Sequence, residues 1–203
     1  MNARRYAPAT QRNRQPILEV LQQHLPSRGN ILEIASGTGE HAVFFASQLP
    51  DFQWYPSDRD PELLASIKAW SAECPTNNLH PPLEIDAFSD RWSIENTDIN
   101  IDAIVNINMI HISPFSACKG LMAGAGRILP SNGILYLYGP YKREGKHTAP
   151  SNEAFDKSLR ERNPQWGVRN LEDVVEIAEA NNLKLQEIVT MPANNLSVIF
   201  RKH

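Results

Sequence analysis

The sequence predicts an α/β fold: a doubly wound, seven-stranded, mostly parallel sheet that ends in an antiparallel hairpin. Three observations predict it. Short apolar runs alternate with segments of helical period along most of the chain, the pattern of strands joined by crossover helices. The apolar run 31–35 breaks into a turn with two glycines, Gly37 and Gly39, and then into a segment with an apolar face, which reads as strand, tight loop and helix. Two late runs, 183–191 and 196–201, are joined only by Pro192-Ala193-Asn194-Asn195, too short a link for a parallel crossover.

Each element follows in order. A helix over 16–25 buries Ile17, Leu21 and Leu25, with Pro16 suited to its first turn. Strands are expected over 31–35, 52–56, 83–86, 101–108 and 133–138, followed by the two hairpin runs. Helices are expected over 40–49, where Ala42, Val43, Phe45, Ala46 and Leu49 share a face, and over 60–73, 115–129 and 171–181. The stretch 139–170 is rich in Tyr, Lys, Arg, His, Asn and Pro and holds one short helix, over 153–162. Loops at the carboxyl ends of strands face the crevice of an open sheet, so this insertion reads as a substrate-side lid or as a solvated surface loop. No repeat or low-complexity segment breaks the chain, and 1–203 reads as one domain.

Composition bounds the function. At 203 residues and 22.9 kDa the chain is long enough for a sizeable core. A formal charge of -3 and a pI near 6.1 give no general attraction to nucleic acid or to an anionic membrane, so neither is an expected partner. No run approaches the roughly 20 apolar residues that span a bilayer. Cys74 and Cys118 are the only cysteines and no secretory leader opens the sequence, so a reducing, cytoplasmic setting is expected. Cys118 lies on an apolar helical face and reads as core. The six His are scattered, without a His-x-x-x-His spacing, and no metal is expected.

The glycine turn carries the functional signal. After a buried strand, Gly37 and Gly39 allow positive φ and close approach of a ligand, and the next helix offers free amides at its start. Asp58 ends the following apolar run, 19 residues after Gly39, where a doubly wound fold places a ribose-binding carboxylate. Gly37, Gly39 and Ala42 also satisfy a dinucleotide fingerprint, so an NAD(P)-dependent oxidoreductase stays open. Glu33 inside the strand argues for a different owner.

The run Glu33-Ile34-Ala35-Ser36-Gly37-Thr38-Gly39 resembles the first motif of class I S-adenosylmethionine-dependent methyltransferases, with Ala35 in place of that motif's first glycine. Further landmarks follow in that family's order: Asp58 for the ribose hydroxyls, Asp86-Ala87-Phe88 for the adenine, and Asp102 to Asn108 for the strand whose end faces donor and acceptor. More closely, Arg12 to Leu18, Asn108 to Pro114, Gly139 to Lys142 and Pro150 to Asn152 resemble relatives of methyltransferase-like protein 26. The resemblance implies a Rossmann-like methyltransferase fold and S-adenosyl-L-methionine as cofactor. The expected cofactor residues are Arg12, Glu33, Ala35, Gly37, Gly39, Asp58, Asp86, Ala87 and Asn106. Each carboxylate also has a structural reading: Glu33 orienting the loop, Asp58 capping the helix near Pro61, Asp86 closing a strand.

The resemblance also bears on the first 15 residues, where Arg4, Arg5, Arg12 and Arg14 stand without an acid. They read as a targeting peptide, a basic arm, or a lid in which Tyr6, Thr10 and Arg12 fold over the cofactor and Arg12 pairs with the methionine carboxylate. His111 and Tyr141 are the candidate catalytic residues. His111 follows the fourth strand and would act as general base for a hydroxyl or amine, though a buried His also serves simply as a backbone partner. Tyr138, Tyr141, Lys142 and His147 form a second polar group, with Arg160, Arg162 or Arg169 assisting, for an anionic small molecule. The expected activity is methyl transfer to a small-molecule acceptor; a non-catalytic binding protein of the same fold is the alternative outside enzymes.

Overall fold

The protein's structure is a computed structural model that describes residues 3–74 and 76–203. Its main sheet holds five parallel strands: β1 (Gly29–Ile34), β2 (Phe52–Asp58), β3 (Leu83–Glu84), β4 (Ala103–Ile107) and β5 (Ile134–Gly139). Between them run α1 (Thr10–His24), which precedes β1, then α2 (Glu40–Gln48), α3 (Pro61–Ser71) and α4 (Phe115–Ile128). An insertion follows β5, with three short strands, β6 (Tyr141–Arg143), β7 (Lys146–His147) and β8 (Arg169–Asn170), around α5 (Pro150–Arg162). After α6 (Leu171–Glu179) the chain closes with β9 (Leu183–Met191) and β10 (Asn195–Lys202). The sheet order is β3-β2-β1-β4-β5-β10-β9, with β10 antiparallel to both neighbours.

Helices cover both faces, so the central strands are continuous apolar runs. Alternate residues of one strand enter opposite cores. Leu32, Ile104, Leu135 and Leu137 pack with Cys118, Leu121 and Met122 of α4 and Val174 of α6. Ile31, Val105, Tyr136 and Ile199 pack on the other face with Ile17 and Leu21 of α1 and Phe45 of α2. Burial pushes the Cys118 thiol up to about 12, leaving it a core residue. Among the described residues no helix is long and apolar enough to cross a membrane.

Helix α4 approaches the connection after β3 closely because it carries glycines where the two touch. A Cβ on Gly120 would lie 1.9 Å from the Ala87 carbonyl oxygen, and one on Gly124 would lie 2.1 Å from the Trp92 ring. The connection after β3 is thereby seated against a helix backbone.

Three expectations change. Helix α1 starts at Thr10, six residues before the expected Pro16, although Pro16 sits inside it and lacks the donor for one ladder bond. Tertiary contact explains the extension, since Asn13 is buried and bonds His41. Strand β3 is only two residues long, pairing with β2 at Ser57 and Asp58, while Trp54 of β2 bridges Leu79 ahead of it. The insertion contains a small sheet that no apolar run announced. It is pinned by buried Asp156, whose carboxylate meets Lys142 at 3.0 Å, His147 at 3.3 Å, Arg160 at 3.2 Å and the Val168 amide at 2.7 Å. Burial raises the Asp156 pKa, but the bonds from Lys142, Val168 and Arg160 outweigh it and hold the carboxyl below its ordinary value.

Candidate functional site

The order of the parallel strands reverses between β1 and β4, and a doubly wound sheet opens its ligand crevice at the carboxyl ends of such a pair. A cavity of about 360 Å³ lies there, walled by the turn after β1, the ends of β2 and β3, and the segment after β4.

The turn runs through three residues in left-handed backbone. Ala35 has φ 58°, Gly37 φ 60° and Gly39 φ 93°. The two glycines are required for different reasons. A Cβ at Gly39 would come within 2.9 Å of the Ile67 backbone on α3, whereas a Cβ at Gly37 would meet nothing within 4 Å. Gly37 therefore borders open space in the cavity, and Gly39 lets α3 approach. Ala35 holds its conformation without the advantage of glycine, at the position where the resembled motif carries one.

Asp58 orders this turn from the end of β2. Its Oδ2 accepts the Gly37 amide at 3.0 Å and its Oδ1 accepts the Asp60 amide at 3.0 Å. Burial raises the Asp58 pKa, and the amides of Asp60, Gly37 and Arg59 offset part of the rise. The cap of α3 is Asp60, which accepts the Glu62 amide at 2.8 Å, so Asp58 does not fill the capping position that its spacing allowed. Glu33 is buried beneath the turn, where its Oε2 accepts Trp54 Nε1–H at 2.9 Å. Burial is the main cause that lifts its pKa from 4.5 to about 7, the Trp54 bond acting against it. Asp86 Oδ1 accepts the Phe88 amide at 3.0 Å, and Arg59 lies 3.5 Å from Oδ2 with its guanidinium over the Phe88 ring.

Glu33, Ala35, Gly37, Asp58, Asp86 and Ala87 all line the cavity; Arg12, Gly39 and Asn106 do not. Asn106 is buried behind the wall, where its amide donates to the Ile34 carbonyl at 2.9 Å and ties β4 to β1. Arg12 is exposed on α1. His111 and Tyr141 are also outside the cavity. Both are fully buried, their rings meet edge to face with centroids 5.3 Å apart, and among the described residues neither His111 nitrogen nor the Tyr141 hydroxyl has a hydrogen-bond partner. Burial, with the Arg169 charge adding, lowers the His111 pKa to about 3. The insertion seals this pair: Gly167 donates to the His111 carbonyl at 2.9 Å and Arg169 to the Ile110 carbonyl at 2.9 Å. Lys142, His147 and Arg160 are engaged by Asp156 and do not reach the cavity.

Thr10, which the lid reading named, forms one side of the cavity with Ala7 and Ala9. Met109, Ile112 and Ala117, which carried no clear sequence signal, add an apolar side near Asn108 and Ser113. The segment before α1 is strapped across α3 and the start of α2: Arg4 pairs with Glu73 and Arg5 with Glu62, Trp70 Nε1–H donates to the Arg5 carbonyl at 2.9 Å, and the Ala7 amide donates to Glu40 at 2.6 Å. Tyr6 packs on Trp70 rather than in the cavity, with ring centroids 5.2 Å apart. His41 lines the cavity too. Its position two residues after Gly39 was visible, but its partner Asn13 stands 28 residues away.

A family model described as "Protein of unknown function (DUF938)" matches residues 4–202. Among solved structures, human N-acetylserotonin methyltransferase in complex with SAM superposes with a TM-score of 0.77 at 13% identity, over 96% of this chain and 52% of that one. An O-methyltransferase family protein from Burkholderia thailandensis gives 0.78 at 14%, over 96% and 57%. An O-methyltransferase family 2 protein from Planctomyces limnophilus, in complex with apigenin, gives 0.73 at 18%, over 94% and 62%. The chain thus spans little more than half the length of these proteins. At such identities the likeness shows the fold, a methyltransferase-type Rossmann-like sheet.

Proposed function

The chain belongs to the DUF938 family of proteins of unknown function, and from that premise we propose that it binds S-adenosyl-L-methionine and transfers its methyl group to a small molecule. One observation carries the reading: the crevice at the β1/β4 reversal gathers a glycine turn, Glu33, Asp58 and Asp86-Ala87 around one cavity, with the Asp58 carboxylate bonded to the turn itself. The amide bonds from Gly37, Asp60 and Arg59 leave that carboxylate with acceptor capacity for ribose hydroxyls. Asp86 and the amide of Ala87 suit the adenine edge, and Phe88 and Leu63 its faces. The open space at Gly37 fits a bulky ligand where a methyl side chain would intrude.

The cofactor, when bound, supplies the electrophilic methyl group. The residues then need to hold an acceptor in line with it and keep water out. Met109, Ile112 and Ala117 give an apolar wall for that acceptor. The strap through Ala7 and Ala9 serves as a lid over the donor, while the 139–170 insertion, none of whose residues lines the cavity, is the cover over His111 and the segment after β4. A direct catalytic role for His111 and Tyr141 requires that cover to move. Kinship to methyltransferase-like protein 26 relatives and a cytoplasmic setting belong to the same reading.

Calorimetric titration of the purified chain with S-adenosylhomocysteine and with reduced nicotinamide nucleotide tests the cofactor. Binding of the first alone is expected; binding of the second alone overturns the proposal in favour of an oxidoreductase. Turnover across carboxylates, phenols, amines and thiols then separates an enzyme from a binding protein of the same fold.

A further inference from the structure

His41 is the second residue of α2, and two contacts fix its ring. Its Nε2–H donates to Asn13 Oδ1 on α1 at 2.8 Å. The imidazole also lies parallel to the Phe45 ring, with centroids 5.5 Å apart and planes 10° from parallel. Asn13 is buried and also bonds Tyr138, so its amide is held in turn. Committing Nε2–H to an amide oxygen leaves Nδ1 with a lone pair and no proton. Among the described residues none bonds that nitrogen, and His41 is one of the residues that line the cavity. Burial, with the Arg14 charge adding, lowers the His41 pKa to about 4, so the ring is neutral and its lone pair available near pH 7.

A ring that offers only a lone pair recognises a donor. With Asp58 and Asp86 to Phe88 at the nucleoside end, the amino-acid tail of the methyl donor falls between the β1 turn and α1, on the side that His41, Ala9 and Thr10 line. Of that tail's two charged groups only the α-ammonium donates hydrogen bonds. We propose that His41 Nδ1 accepts a hydrogen bond from the α-ammonium of the bound methyl donor, with Asn13 as the positioning residue that sets the tautomer and ring angle. The inference rests on the cofactor reading above. It gives the tail's ammonium a neutral acceptor on α2, a different group from the carboxylate that the resemblance paired with Arg12.

The test uses the full chain and two ligands that share a nucleoside and a sulfur. S-adenosylhomocysteine carries the amino-acid tail; 5′-deoxy-5′-methylthioadenosine lacks it. By calorimetry, wild-type protein should prefer the first. In His41→Leu the affinity for S-adenosylhomocysteine should fall about tenfold, the size of a lost hydrogen bond to a charged group, while the affinity for methylthioadenosine stays within about twofold. His41→Asn places an amide oxygen near the Nδ1 position and should recover part of the loss. Asn13→Ala, which leaves the imidazole in place but unsteered, should weaken only the tailed ligand, and by less. An equal loss for both ligands in His41→Leu, or no loss for S-adenosylhomocysteine, overturns the assignment. Failure of folded wild-type protein to bind either ligand overturns the cofactor reading on which it stands.

Discussion

Glu33→Gln should stabilise the protein in mild alkali and do little in mild acid. Glu33 is buried with its carboxyl against Trp54 Nε1, and its pKa is lifted from 4.5 to about 7, chiefly by burial. In the folded state the neutral form is favoured, so the Glu33 contribution is fully present below pH 4.5 and is lost as pH rises through 7. The gap from 4.5 to about 7, at about 1.4 kcal/mol per pH unit, amounts to roughly 3 kcal/mol. Gln cannot ionise, and its amide oxygen still accepts from Trp54. The difference in unfolding free energy between variant and wild type should therefore grow by about 3 kcal/mol from pH 4.5 to pH 8. Urea denaturation of both proteins at the two pH values measures it, and subtraction cancels every other titrating group. A difference that is the same at both pH values would refute the claim that Glu33 is held neutral by its burial.

The turn supplies the other predictions. Gly37→Ala should fold with a loss of only about 1–2 kcal/mol for its left-handed backbone, yet bind S-adenosylhomocysteine far more weakly, since its methyl group enters the cavity; calorimetry beside thermal melts shows both. Gly39→Ala reverses the pattern, because its Cβ meets the Ile67 backbone at 2.9 Å; a melting temperature equal to wild type would contradict the packing described. Ala35→Gly should be neutral or stabilising by up to about 1 kcal/mol, against the usual loss when glycine replaces alanine, and chemical denaturation reads the sign. Asp58→Ala should weaken S-adenosylhomocysteine by about 1–3 kcal/mol and also loosen the turn, visible as faster amide exchange at Gly37. Unchanged affinity would remove its ribose role.

Local geometry was legible in the sequence, and contact between distant segments was not. Strand β1 and the turn at Gly37 and Gly39 follow from apolar burial and backbone freedom within ten residues. Of the residues at the cavity, Asp58 stood out because it ends an apolar run at the right spacing, whereas Glu33, Asp86 and Ala87 were singled out by the family resemblance. Asn106 was placed one layer too far forward, since alternation along β4 does not say which residue clears the wall. Arg12 was chosen for its charge, but its neighbour Asn13 is the one that α1 turns inward. His111 and Tyr141 looked reactive by type; only the folded insertion shows that they are sealed. That insertion carries no apolar periodicity, because charge pairing around Asp156 holds it rather than a hydrophobic stripe.

The seating of the β3 connection on Gly120 and Gly124 has a consequence for how this pocket can drift or be redesigned. Its wall at Ala87 is shaped from behind, by a hydrogen atom on Gly120, a residue that does not itself line the cavity. Substitutions at Ala87 or Phe88 alter what the wall offers chemically, whereas a single methyl group added at Gly120 would displace the wall itself. A mutational library confined to cavity-lining positions would miss that control. Altered ligand preference in this scaffold should therefore be sought in the backbone-to-backbone contacts of α4 as well as in the residues that face the cavity.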